Sequence, residues 1–235
     1  MELVKQYEIT RIEEGQIRAV QDTLIVEHGM ELYVNGKLSA RFLCTPDHLQ
    51  ELVYGSLFAQ GLIGGCGDVQ SLTITGSRAE AVVQNGKTSA RREECGKSRQ
   101  KITFQVQELF EAMEWLGEQS SLFSLTGGVH SCALWHADGR RIFMEDIGRH
   151  NAVDKALGRA LLENWDLAQC LLLTSGRIPG ELITKALHTG VQVIVSRSAP
   201  MASAVDLARR HQLTLCGFVR GRRMNIYSAP ERILP

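Results

Sequence analysis

The chain has 235 residues, enough for one large domain, or a domain with a smaller appendage, around a substantial core. Its 26 basic residues balance 26 acidic ones, so no global field draws it to nucleic acid or to an anionic membrane surface. No apolar run approaches a membrane span, the opening MELVKQYEIT lacks a signal-peptide core, and six scattered cysteines show no disulfide framework, which together predict reduced thiols in the cytoplasm.

Taken in order, the first forty residues read as β-structure. Apolar residues alternate over Gln16–Glu27, and Leu32–Val34, Asn35-Gly36 and Leu38–Leu43 form a hairpin signal, because Asn-Gly favours a type I′ turn. Cys44-Thr45-Pro46-Asp47 then predicts a helix start, with Thr45 as N-cap and Pro46 in the first helical position. The helix runs through Leu49, Leu52, Val53 and Leu57 and stops near Gly61. Val69–Thr75 and Ala79–Gln84 predict another strand pair. Lys87–Lys101 has no periodicity and carries six basic residues against Glu93 and Glu94, which predicts an exposed loop around Cys95-Gly96.

Val106–Trp115 predicts a helix, Gly117–Ser121 a polar break, and Leu125–His130 a small-residue turn into a strand at Ser131–His136. Asp138-Gly139 marks a hairpin, with Arg141–Met144 as the return strand. Glu145–Asn151 opens a helix whose apolar stripe is Ala152, Val153, Ala156, Leu157, Ala160 and Leu161.

From Leu171 to Tyr227 the pattern is strand, loop, helix, strand, loop, helix, strand, with a short strand behind. Leu171–Thr174, Val191–Val195 and Leu213–Val219 are the uninterrupted Val/Ile/Leu runs of strands buried on both faces. The helices between them begin near Pro179 and Pro200. Each strand leaves through a polar loop, Ser175-Gly176-Arg177 or Ser196-Arg197-Ser198. Open α/β sheets bind ligands beyond the carboxyl ends of their strands, and hydroxyls with one arginine per loop suit a phosphorylated ligand. The same loops also serve as plain helix caps, so the pattern alone leaves both readings open. The predicted fold class is α/β, a mixed or parallel sheet flanked by helices. A smaller β-rich N-terminal region with one helix and the charged loop (1–104) precedes the α/β domain (105–235).

Several segments together resemble one family. They are Cys44-Thr45-Pro46, Thr126-Gly127-Gly128-Val129-His130, Asp146-Ile147-Gly148-Arg149-His150-Asn151-Ala152-Val153-Asp154-Lys155, Ser175-Gly176-Arg177, Ser198-Ala199-Pro200 and Gly217-Phe218-Val219-Arg220-Gly221. In this order they resemble FdhD-type formate dehydrogenase accessory proteins, and the likeness spans almost the whole chain. The GRHNAVDK stretch is its most specific part. The resemblance implies a sulfurtransferase that takes a cysteine persulfide from a cysteine desulfurase. It passes the sulfur to the bis-molybdopterin guanine dinucleotide cofactor of formate dehydrogenase. It also implies a cytidine-deaminase-like fold working as a homodimer without catalytic zinc.

One departure bears on mechanism. Family members carry Cys-Gly-x-Cys in the loop, whereas here it reads Arg91-Arg92-Glu93-Glu94-Cys95-Gly96-Lys97-Ser98. Cys95 matches either the first cysteine, with Ser98 in the second place, or the second, with Arg92 in the first. One thiolate still suffices to hold one sulfane sulfur. Basic neighbours favour the Cys95 thiolate while Glu93 and Glu94 oppose it, and the resemblance makes Cys95 the sulfur carrier. Cys44, Cys132, Cys170 and Cys216 lie in or beside apolar strands and read as small core residues, and Cys66, between glycines, as a turn residue.

Five arginines without an acid fall between Arg209 and Arg223. Arginine pairs bidentately with phosphate and stacks on flat rings, so Phe218, Val219, Arg220, Gly221, Arg222 and Arg223 suit a guanine nucleotide; the alternative is a solvated basic edge. The resemblance places the cofactor there, with GDP as its fragment mimic, and Ser175, Gly176, Arg177, Arg149, His150 and Asn151 are further cofactor-binding candidates. Asp154 and Lys155 fit either a site wall or a solvated face, and His130 either site or core. A zinc-dependent base deaminase needs His-x-Glu and Pro-Cys-x-x-Cys, and neither is present. A cofactor-binding chaperone that transfers no sulfur through its own cysteine remains the alternative.

Overall fold

The computed structural model describes residues 2–84 and 102–235. The charged loop predicted at 87–101, with Cys95, lies outside the described residues.

Strands β1 (Val4–Glu13) and β2 (Gln16–Ile25) form a long two-stranded hairpin. A four-stranded sheet follows in the order β4-β3-β6-β5, from β3 (His28–Val34), β4 (Lys37–Cys44), β5 (Val69–Thr75) and β6 (Arg78–Val83). The Asn35-Gly36 turn has φ of 50° and 77°, the left-handed pair that a type I′ hairpin requires. Helix α1 (Leu49–Ala59) covers this sheet through Leu52, Val53 and Leu57, which pack with Met30 and Leu32.

The main sheet has six strands in the order β13-β12-β11-β10-β8-β9. They are β8 (His130–His136), β9 (Arg141–Asp146), β10 (Cys170–Thr174), β11 (Val193–Ser196), β12 (Thr214–Arg220) and β13 (Arg223–Ser228). The sheet is mixed: β10, β11 and β12 run parallel, while β8, β9 and β13 are antiparallel to their neighbours. A two-residue parallel pairing of β7 (Phe104–Gln105) with β14 (Ile233–Leu234) ties the C-terminus down.

The apolar runs are continuous because both faces of the sheet are covered. Leu172, Ile194 and Leu215 face a core built with α4 (Arg149–Leu162), α5 (Gly180–Thr189) and α6 (Ala202–Arg210). Leu171, Leu173, Val193, Val195 and Cys216 face α2 (Val106–Gln119). The helix α1 rests on α4 so closely that glycine is needed on both sides. A Cβ at Gly55 would stand 1.7 Å from the Asp154 carbonyl oxygen, and one at Gly158 would stand 1.9 Å from that of Glu51.

Two local expectations are corrected. Helix α1 starts at Leu49 rather than Pro46, with His48 at its cap, because the Thr45 hydroxyl is bonded to the side chains of Asp47, Asp146 and Lys155 instead of the helix. The break expected at Gly117–Ser121 shrinks to Ser120, since α2 continues to Gln119 and a short helix α3 (Ser121–Thr126) follows. The Glu145 carboxylate accepts from the Leu122 and Phe123 amides and so caps that helix from β9.

Candidate functional site

The parallel strands β10, β11 and β12 end at one edge of the main sheet, and β8 begins and β9 ends there too. Hydrogen bonds stitch the loops at this edge side by side. Ser175 N donates to Ser131 O at 2.9 Å, Arg197 N to Thr174 O at 3.2 Å, and Phe218 N to Ser198 O at 3.1 Å. The Ser196 hydroxyl donates to Gly176 O at 2.8 Å, and Arg220 Nε to Arg197 O at 3.1 Å. Helix α4 starts against the first of these loops, so closely that a Cβ on Gly176 would sit 3.0 Å from the Arg149 Cβ.

This edge gathers cations without countercharges. Arg149, Arg177, Arg197, Arg220, Arg222 and Arg223 form no ion pair with a carboxylate among the described residues. Arg149 Nε and His150 Nε2 are buried without a hydrogen-bond partner, while His150 Nδ1 lies 3.2 Å from Glu181 Oε1. Buried donors left unpaired are costly, and an acceptor brought by a ligand removes that cost. His130 stands among these groups with Nδ1 3.4 Å from Ser175 Oγ. Burial, with Arg149 and Arg177 nearby, lowers its pKa, so its imidazole is neutral near pH 7.

Phe218 sits at φ 54°, a left-handed conformation that an aromatic residue rarely adopts and that costs roughly 1–3 kcal/mol. The strain accompanies an irregularity between Gly217 and Arg220 in the β12–β13 pairing, and Phe218 is 38% exposed at the edge. Gly217 is forced by packing, since a Cβ there would lie 2.9 Å from Pro200 Cδ.

The structure therefore brings Ser175, Gly176, Arg177, Arg149 and His150 together with Phe218, Arg220, Gly221, Arg222 and Arg223 along one edge. Two candidates sit otherwise. Val219 is buried against α2 and presents no side chain to a ligand. Asn151 is turned toward β4, with Nδ2 donating to Leu43 O at 2.7 Å and to Asp146 Oδ1 at 2.9 Å. Sequence reasoning had passed over Leu116, Phe123 and Ile147, which with His130, Ser175 and Arg197 line a cavity of about 460 Å³ beside the edge. They come from separate segments, and no local pattern joins them.

Five cysteines are described and all are free. Burial pushes the Cys44, Cys170 and Cys216 thiols up to about 12, raises Cys132 as well, and raises the half-buried Cys66. The four strand cysteines are core residues, as their apolar surroundings predict. Cys66 sits in a turn (Cys66–Asp68), its thiol donating to Leu161 O at 3.3 Å.

A sequence model of the FdhD/NarQ family matches residues 25–234. The chain belongs to the FdhD/NarQ family. It is 34% identical to a sulfur carrier protein FdhD of Listeria innocua, over 99% of this chain and 100% of that protein. It is 32% identical to one from Methanothermobacter thermautotrophicus, with both chains fully covered. Among solved structures it is similar to a proposed formate dehydrogenase accessory protein from Desulfotalea psychrophila. There the TM-score is 0.86 at 27% identity, covering 99% of this chain and 100% of that one.

The most specific stretch of the family likeness, Asp146–Lys155, is in large part a brace. Asp146, fully buried, accepts from the Thr45 amide and hydroxyl at 3.1 Å each, from the Gly148 amide at 2.8 Å, and from Asn151. Lys155 Nζ, also fully buried, meets Asp146 Oδ2 at 2.7 Å, Asp47 Oδ1 at 2.8 Å and Thr45 Oγ1 at 2.6 Å. Asp154 pairs with Lys185 Nζ through both oxygens at 2.7 Å. Neither Asp154 nor Lys155 is a solvated face. The first turn of α4 thus does two jobs: Arg149 and His150 stand at the cationic edge, while Asn151 and Lys155 lock the end of β4 to the main sheet.

Proposed function

We propose that this protein is a sulfur carrier for formate dehydrogenase. In this reading Cys95 accepts a persulfide sulfur from a cysteine desulfurase, and the sulfur passes to a bis-molybdopterin guanine dinucleotide held at the cationic edge. The curated relatives are named as sulfur carriers. The observation that carries the reading is the state of the other thiols. Sulfane transfer needs an accessible thiolate; Cys44, Cys132, Cys170 and Cys216 are buried in the core, and burial raises the pKa of the partly exposed Cys66 as well, which favours Cys95 in its basic sequence context.

The cofactor brings two pyrophosphates and two guanine rings. Arg177, Arg197, Arg220 and Arg149 supply guanidinium groups that form no ion pair with a carboxylate among the described residues, and Phe218 supplies an exposed aromatic face. The reading extends to a homodimer, one nucleotide per copy, and the β1–β2 hairpin, with Ile12 and Ile17 each 72% exposed, is apolar surface for such an interface. It also takes residues 105–235 as a cytidine-deaminase-like unit, supported by a six-stranded sheet drawn wholly from that part.

The test is calorimetry with GDP as the fragment of the cofactor. Arg220→Ala and Arg177→Ala should each weaken binding by about 1.5–3 kcal/mol, the range for a hydrogen bond to a charged group. The loss should shrink in high salt for the exposed Arg220. Unchanged GDP affinity in both variants places the nucleotide elsewhere.

A further inference from the structure

Helix α3 (Ser121–Thr126) has six residues and buries none of them, and Phe123 and Leu125 are more than half exposed. Isolated helices shorter than about 12–15 residues are marginal in water, and in proteins it is the packing of an apolar face that secures a short one. No such face is buried here. Yet Phe123, with Ser120 just before the helix and Gly127 just after it, lines the cavity beside the cationic edge.

Two polar contacts fix the start of α3. The Ser120 and Ser131 hydroxyls share a hydrogen bond at 2.6 Å. The Glu145 carboxylate accepts from the Leu122 amide through Oε2 at 3.1 Å and from the Phe123 amide through Oε1 at 3.2 Å, one oxygen for each of two first-turn donors. Glu145 stands opposite Ser131 in the β8–β9 ladder, so both anchors come from one rung of the main sheet.

That carboxylate is not placed for stability. Glu145 is 7% exposed and forms no ion pair among the described residues. Burial, with the Asp47 charge nearby, raises its pKa above the ordinary carboxylate value, although the two amides oppose the shift. The ionisable groups around it offer no relief. Asp146, next in the chain, is engaged by Lys155, and His130, opposite Asp146 on β8, is neutral near pH 7. Helix α3 itself has no ionisable side chain. A carboxyl whose folded pKa is raised lowers stability once the pH exceeds its unfolded pKa.

We infer that Glu145 is a positioning residue for nucleotide binding, which holds α3, and with it one wall of the cavity, in the arrangement that receives the ligand. The inference rests on the nucleotide reading above. A site whose wall is formed only part of the time binds with its dissociation constant raised by the reciprocal of that fraction.

The test compares the full chain with its Glu145→Gln variant. The new side chain keeps one acceptor oxygen and turns an NH2 donor toward the second amide, so a cap bond is lost. Losing a helix cap shifts a helix equilibrium by several-fold to about thirtyfold. Hydrogen exchange at the Ser124 and Gly127 amides, which bond to Ser120 O and Phe123 O, should quicken by a factor in that range. GDP, by calorimetry at pH 7.5, should bind at least about fivefold more weakly. The melting midpoint should stay or rise, because the variant removes a buried charge whose folded pKa is raised. From pH 7.5 down to pH 5 the ratio of the two affinities should narrow, since only the wild-type carboxyl takes up a proton. Unchanged exchange, unchanged GDP affinity, a lowered midpoint or a ratio indifferent to pH overturns the inference. No GDP binding by the wild type would instead refute the nucleotide reading, with exchange at α3 still deciding whether Glu145 holds that wall.

Discussion

Replacing Lys155 with Met tests whether the Asp146–Lys155 stretch is a brace. The substitution keeps the aliphatic stem and removes an ammonium that is fully buried and bonded to Asp146, Asp47 and Thr45. Removing one partner of a buried ion pair costs about 3–5 kcal/mol, because the other charge stays behind. Asp146 keeps its bonds from Thr45, Gly148 and Asn151, and the Asp47 side chain is 27% exposed and can turn toward water. The loss should therefore fall near the lower end, about 3 kcal/mol. With a urea dependence of about 3 kcal/mol per molar for a chain of this size, the unfolding midpoint drops by about 1 M. Asn in place of Asp146 in the Lys155→Met background should recover part of that loss by removing the orphaned charge.

Acid adds a second readout of the same brace. Burial alone would raise the Asp47 carboxyl, but the Lys155 charge and hydrogen bonds from Lys155 and Thr45 outweigh it and hold the pKa below the ordinary value. A carboxyl depressed in the folded state stabilises above its unfolded pKa of about 3.9, and that stability disappears as pH falls below about 4. The acid loss should be smaller in Lys155→Met. A midpoint shift under about 0.2 M together with an unaltered acid profile would refute the brace.

Two further outcomes follow from packing. Gly158→Ala puts a Cβ 1.9 Å from the Glu51 carbonyl oxygen, so α1 and α4 must separate; thermal melts should show a loss at or above the roughly 1–3 kcal/mol of ordinary overpacking, and an unchanged melt would contradict the close crossing. Iodoacetamide followed by peptide mapping should leave Cys44, Cys132, Cys170 and Cys216 unlabelled in the native protein and label them in urea, since all four are fully buried thiols; native labelling of any of them would show that burial does not protect it.

The sequence was most legible where local chemistry and the fold agree. Leu171–Thr174 and Leu213–Val219 read as buried strands because both faces of β10 and β12 are covered, and Asn35-Gly36 read as a turn because its geometry is local. Ser175–Arg177 and Phe218–Arg223 were placed at strand ends, and the sheet order then puts them on one edge.

The misreadings involve residues whose partners are distant in the chain. Thr45 before Pro46 looks like an N-cap, but its hydroxyl is used by Asp146, 101 positions away. Lys155 four residues after Asn151 looks like one helix face, yet it is buried by the end of β4. Gly55 and Gly158 are unremarkable in sequence and become necessary only where two helices touch. The cavity draws on α2, α3, the start of β8 and four loops, so no single window of sequence contains it.

The central claim concerns Cys95. The direct measurement is a mass spectrum, under thiol-trapping conditions, of the protein incubated with a cysteine desulfurase and L-cysteine, with the modified peptide sequenced. The account predicts a gain of one sulfur atom on the peptide containing Cys95, absent from Cys95→Ala, whose melting curve matches the wild type. A persulfide on another cysteine, or no persulfide while the protein still supports formate dehydrogenase maturation, would contradict it, and the latter would leave a cofactor-binding chaperone.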